Sequence, residues 1–131
     1  MIVSVDPASP VPLFEQLRSQ IELLIVCGQL PVGSQLPAIR HLATDLGLAR
    51  GTVAKVYESL ARDGLVEASG RNGTVVTAAA RADGPTAAFT HAVEQLAMVA
   101  TQLQLPVEHV QQAVAESMER IGRSTSPFGT G

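Results

Sequence analysis

The sequence predicts a mostly α-helical fold carrying one small β-hairpin, followed by a separate pair of helices. Three observations predict it. Apolar residues recur at helical spacing in successive short stretches, with glycines marking their ends. Two strand-like runs in "LVEASGRNGTVVT" flank Gly70-Arg71-Asn72-Gly73, and Asn72-Gly73 is a strong turn signal. The stretch "AAARADGPT", 78–86, reads as a linker, with further helical patterns beyond it. With 131 residues, of which 46% are hydrophobic, the chain can hold a small domain with its own core plus an appendage.

Each element follows in order. "MIVSVDPASPVP" begins as a weak strand or extended arm, and its prolines keep it open. Pro12 stands where a helix starts. Leu13, Leu17, Ile21, Leu24 and Ile25 then form one apolar stripe with Phe14 beside it, and Gly28 ends the helix. "GQLPVGSQLP" reads as a turn-rich link. A second helix begins near Pro37, with Ile39, Leu42, Ala43 and Leu46 at i, i+3, i+4 and i+7. Gly47 is the expected left-handed C-terminal residue. A third helix runs from about Arg50 to Asp63 with Val53, Val56, Tyr57 and Leu60 buried, and Gly64 stops it. Two short amphipathic helices joined by a tight Gly-containing turn make a helix-turn-helix candidate. A hairpin directly after it has the layout of a wing.

Beyond the linker, Phe89, Val93, Leu96, Ala100 and Leu103 have heptad-like spacing. Val107, Val110, Val114, Met118 and Ile121 form another stripe after Pro106, with Gly122 expected to end it. The expected organisation is therefore a winged helix-turn-helix domain over 1–77, a linker over 78–86, a helical dimerisation region over 87–123 and a disordered tail over 124–131.

Composition narrows the function. The formal net charge is −3, with three Phe, one Tyr and no Trp. The scarcity of aromatics argues against base-stacking surfaces for single strands. Cys27 alone forms no intramolecular disulfide and reads as a small buried hydrophobe. His41, His91 and His109 share no metal-ligand spacing, and no nucleophile–base pair, phosphate loop or metal cluster stands out. Neither cofactor nor metal is expected, and the chain does not read as an enzyme. It has no signal-peptide pattern, and Leu23 to Val26 is far too short to span a bilayer. A cytoplasmic protein without a membrane partner is expected.

Positive charge matters by placement. Between Ser34 and Val75, Arg40, Arg50, Lys55, Arg62 and Arg71 stand against Asp45, Glu58, Asp63 and Glu67, which is no basic slab. At 100° per residue the buried stripe of the third helix points one way. Gly51, Lys55, Glu58 and Arg62 point the other way, with Arg50 and Thr52 flanking the first turn. That turn presents an arginine, a glycine and a hydroxyl beside the unpaired N–H groups and partial positive charge of a helix N-terminus. The combination suits a phosphate backbone and lets Arg50 reach a guanine edge in the major groove. Recognition helices read bases with their N-terminal residues. Arg71 at the hairpin tip can enter a narrow minor groove. Arg62 reads as a solvated face. Double-stranded DNA is the expected partner, with a protein-interaction module that keeps the fold without reading DNA as the alternative.

"PLFEQL" and "GQLPVGSQLPAIRHLATDLGLARGTVAKVYESLARDGLVEASGRNGTVV" resemble the winged-helix domain of GntR-type transcriptional regulators, over roughly residues 10 to 77. The resemblance implies dimers that bind operators with inverted half-sites and more often repress than activate. It implies DNA contacts by Arg40, Arg50 and Thr52 and a wing contact by Gly70 and Arg71. With Gly51 and Lys55 from the helix wheel, these form the candidate DNA-binding set. One departure matters: Ala49 stands where many members carry Ser or Thr, a cap worth about 1 kcal/mol. In length and helicity the C-terminal part resembles the YtrA-type subfamily, where a small helical appendage replaces a large effector domain. Two such helices cannot enclose a drug-sized pocket, so a small-molecule effector is not expected. They can bury their stripes against a second copy through Phe89, Val93, Leu96, Leu103, Val110 and Val114, which makes a homodimer the expected assembly.

Overall fold

The structure, a computed structural model, describes residues 2–81, 83–124 and 126–127. These residues form two compact units, one of residues 2–81 with 126–127 and one beginning at Asp83.

In the first unit, strand β1 (Ile2–Val3) leads through the proline-rich arm to helix α1 (Leu13–Val26). Helices α2 (Ile39–Leu46) and α3 (Arg50–Arg62) follow, then strands β2 (Val66–Ala68) and β3 (Thr74–Val76). The stripes read from the sequence supply the core. Leu17, Ile21 and Ile25 of α1 are buried with Leu42 and Ala43 of α2 and Val53, Val56, Tyr57 and Leu60 of α3. Val66 and Val76, paired across the hairpin, close the floor of that core. Apolar burial of this kind is the main favourable term in folding.

The α2–α3 turn depends on Gly47. It takes the left-handed conformation (φ 67°, ψ 33°), and the Leu48 N–H reaches back to the Ala43 carbonyl at 2.9 Å. A residue with a Cβ is strained in that conformation, so glycine lets one helix stop and the next start within three residues.

Several details differ from the sequence reading. The link before α2 is not only a turn. Its Gly33 and Leu36 N–H groups donate to the carbonyls of Val76 and Thr74, each at 2.8 Å, and Gln35 bridges Val75. The hairpin thus has a third, short partner. The N-terminal arm is clamped by glutamines one helical turn apart. The Gln20 side chain exchanges hydrogen bonds with the Ser4 backbone, while Gln16 accepts from the Asp6 N–H and donates to the carbonyls of Asp6 and Val11. Cys27 is half-buried and not fully enclosed. The stretch expected as a linker is partly tied down: the Ala78 N–H donates to the Leu65 carbonyl and the Arg81 N–H to the Val26 carbonyl. Helix α4 already begins at Gly84.

The second unit consists of α4 (Gly84–Gln102) and α5 (Val107–Ser124). Gln104 turns the chain between them with φ 57°, and the Leu105 N–H closes on the Ala100 carbonyl at 2.9 Å. Gly122 lies inside α5 and does not end it. Of the expected tail, Ser126–Pro127 form strand β4, which pairs antiparallel with β1. Thr125 and residues 128–131 lie outside the described residues. No described helix is long and apolar enough to cross a membrane.

Candidate nucleic-acid interface

The first turn of α3 is built without a side-chain cap. Ala49 occupies the cap position in extended conformation (φ −68°, ψ 143°), and no side chain bonds the leading N–H groups. The Ala49 carbonyl accepts from the N–H groups of Thr52 and Val53 at 3.1 and 3.4 Å. Where a serine or threonine would fold back over the helix start, the departure at Ala49 leaves the leading amides, those of Arg50 and Gly51, without a side-chain cap.

Arg50 is exposed, and among the described residues it enters no ion pair or side-chain hydrogen bond. Gly51 is exposed too. It has ordinary helical backbone, and a Cβ built on it meets nothing within 4 Å. Glycine in a helix interior costs about 1 kcal/mol relative to alanine. Neither the backbone conformation nor the packing within the chain requires a glycine there. Thr52 is half-buried at the flank of the turn, and Lys55 is exposed one turn further on. Val53, Val56, Tyr57 and Leu60 are buried, so the wheel drawn from the sequence separates the two faces of α3 correctly.

Arg40, the second residue of α2, is exposed. The hairpin tip is a tight 3-10 turn, Gly70–Asn72, which holds Arg71 exposed. Gly73 leaves that turn at φ 68° and ψ −131°, a conformation essentially closed to other residues. Its N–H bonds the Gly70 carbonyl, and its own carbonyl accepts from the Ser69 N–H. Arg71 therefore stands on a backbone-braced loop with Gly70 beside it. Arg40, Lys55, Arg62 and Arg71 also enter no ion pair among the described residues. Cations left unpaired in solvent suit contact with phosphates.

Two groups behind α3 escaped the sequence reading. The buried Tyr57 hydroxyl donates to the Pro37 carbonyl at 2.7 Å, tying α3 to the segment that leads into α2. Burial pushes its phenol well above the ordinary value, so it stays protonated and able to donate. Arg18 of α1 bonds Ser59 of α3 and Asp63, the residue that caps its C-terminal end. Their partners lie far along the chain, and no local motif announces such pairs.

The expected interface residues of the appendage are largely uncovered. Phe89, Val93, Leu96, Leu103 and Val114 are exposed, and Val110 is half-buried. At the elbow an open crevice of about 220 Å³ is lined by Ala97, Ala100, Leu105, Val107 and Val110 among others. Among the described residues no group of three or more His, Cys, Asp or Glu side chains is placed to hold a metal ion.

Residues 13–76 match the family of bacterial regulatory proteins called gntR. The chain is 41% identical over 101 residues to an HTH-type transcriptional regulator of Mycobacterium tuberculosis, covering 77% of this chain and 81% of that protein. It is 33% identical over 95 residues to the HTH-type transcriptional repressor YtrA of Bacillus subtilis, covering 72% and 73%. Among solved structures it is similar to YtrA from Sulfolobus acidocaldarius, a GntR-family transcription factor, with TM-score 0.55, 31% identity and coverage of 72% and 99%. It is also similar to AraR(DBD) in complex with operator ORX1, with TM-score 0.51, 25% identity and coverage of 57% and 93%. With its winged helix-turn-helix and its short helical appendage, the chain belongs to the GntR family and is a DNA-binding transcriptional regulator of YtrA type, not an enzyme.

Proposed function

We propose that this regulator is a homodimeric repressor that reads an inverted-repeat operator in double-stranded DNA. Arg50 supplies the base contact. Gly51 lets the helix approach closely, while Arg40, Thr52 and Lys55 hold phosphates near the helix-turn-helix. Gly70 and Arg71 bring the wing to the adjoining groove. The observation that carries this reading is the mouth of α3, where an exposed, unpaired Arg50 adjoins a glycine that the fold itself does not need. The mostly exposed apolar faces of α4 and α5 support self-association through Phe89, Val93, Leu96, Leu103, Val110 and Val114. A two-fold protein meets a two-fold operator, with its half-sites one turn or a few turns apart. Repression and work in the cytoplasm follow the same reading, the former supported by similarity to a protein named as a repressor.

The test begins with footprinting on the DNA upstream of the coding region. Arg50→Ala is expected to cost about 1–3 kcal/mol and to relax preference at one base position in each half-site. An equal loss on every sequence would show that Arg50 holds only phosphate. Affinity is expected to fall about 10³–10⁵-fold between roughly 50 and 200 mM salt if about 6–10 phosphates are engaged. A flat salt response, or a single unpaired half-site in the footprint, contradicts the proposal.

A further inference from the structure

We propose that Arg18 is a positioning residue for the recognition helix, setting the rotation and height of α3 and so sharpening discrimination between operator and other DNA. This rests on the reading of α3 as the helix that reads bases.

The back of α3 is packed mainly by aliphatic side chains, Val53, Val56 and Leu60. Such contacts are strong but non-directional, and they leave small rotations about the helix axis weakly resisted. Directional bonds resist them. Arg18 supplies them near the C-terminal end of α3. Its Nε donates to Ser59 Oγ at 2.8 Å, and a terminal nitrogen of the same plane bonds the Asp63 carboxylate. These partners stand four residues apart, one turn of the helix and its cap. A rigid planar fork that grips both fixes rotation and axial position together. The remaining terminal nitrogen bonds Glu22 at 2.7 Å on α1 itself, which holds the fork in place. Near the middle of the helix, the Tyr57–Pro37 bond ties α3 to the segment before α2. A binding constellation needs its supporting residues held to within about 0.5 Å.

Arg18 is no DNA contact of its own. Its side chain is 19% exposed, and all its guanidinium nitrogens are bonded to groups of the protein itself, whereas Arg50 is exposed and unpaired.

The experiment uses the full chain well below its melting temperature, with two labelled duplexes read by fluorescence anisotropy. One carries the footprinted upstream sequence and the other its shuffled counterpart. Arg18→Met keeps the aliphatic stem and removes the fork. The ratio of affinities for the two duplexes is expected to fall about tenfold. Affinity for the shuffled duplex and the salt slope stay as in wild type, since no phosphate contact is lost. Arg18→Lys recovers only part of the ratio, because an ammonium has no fork. Should Arg18→Met fail to fold, Ser59→Ala carries the test, with a smaller fall in the same ratio. An unchanged ratio beside a lowered melting temperature overturns the proposal, because Arg18 then only stabilises. An equal loss on both duplexes with a shallower salt slope overturns it too, because Arg18 then holds phosphate. If the wild type itself shows no preference between the duplexes, operator reading fails first, and that is visible before any variant is compared.

Discussion

The two units of this chain use apolar residues in opposite ways. In the winged-helix unit the stripes of α1, α2 and α3 converge, so that Leu17, Leu42, Val53 and Leu60 are fully enclosed. In the α4–α5 appendage, Gly84 and Ala100 are the buried residues among those described. There Phe89 is 72% exposed, and Val93, Leu96, Leu103 and Met118 are exposed as well. Apolar patterning of similar strength thus yields a self-sufficient core in one region and an uncovered surface in the other. The difference lies in the number of elements. Three helices and a hairpin can surround a common centre, whereas α4 and α5 by themselves each keep a face that nothing in their own unit covers. Large exposed apolar patches mark association sites. The winged-helix unit encloses its apolar stripes, and the appendage leaves most of its own exposed.

That contrast can be broken by experiment. Leu60→Ala opens a cavity at a fully buried position, and it is expected to destabilise the protein by about 2–5 kcal/mol in thermal or denaturant unfolding. A loss of less than about 1 kcal/mol would mean that the first unit is not the rigid core described. Leu96→Glu with Val114→Glu is expected to do the reverse. The winged-helix unfolding transition stays nearly unchanged, because both positions are exposed within the chain. Sedimentation is expected to show monomers, and operator binding to weaken as avidity is lost. A dimer that persists would place the interface elsewhere.

A smaller effect sharpens the comparison within α3 itself. Gly51→Ala is expected to raise the stability of the free protein by up to about 1 kcal/mol, since a Cβ there meets nothing within 4 Å. On the proposed reading of α3, the same change is expected to weaken DNA binding, because the methyl group would stand in the path proposed for the duplex. Opposite signs in calorimetry and anisotropy would separate a position shaped for a partner from one shaped for folding. If both properties improve together, the glycine is not there to admit DNA.

Much of this was legible in the residues alone. The stripe of Val53, Val56, Tyr57 and Leu60 defined both the buried side of α3 and, by difference, the outward side carrying Gly51 and Lys55. Gly47 announced its left-handed turn, and the glycines around Arg71 announced the tip of the wing. These features depend on neighbours within a few positions, where helical period and turn chemistry act directly. The Gln35–Val75 bridge, the Gln16 and Gln20 clamp and the Arg18 fork were not legible. A polar side chain written in sequence does not say which distant group will satisfy it.

By itself, then, the sequence determined where each helix turns its apolar side, where the chain must reverse, and that an arginine and a glycine open the third helix. Periodicity and backbone sterics are local and survive without any fold. Only the tertiary structure decided that Arg18 is spent on partners within the chain while Arg50 is left without one among the described residues. The two are chemically the same group, and what separates them is the arrival of Ser59 and Asp63, 41 and 45 residues further along, beside one and not the other.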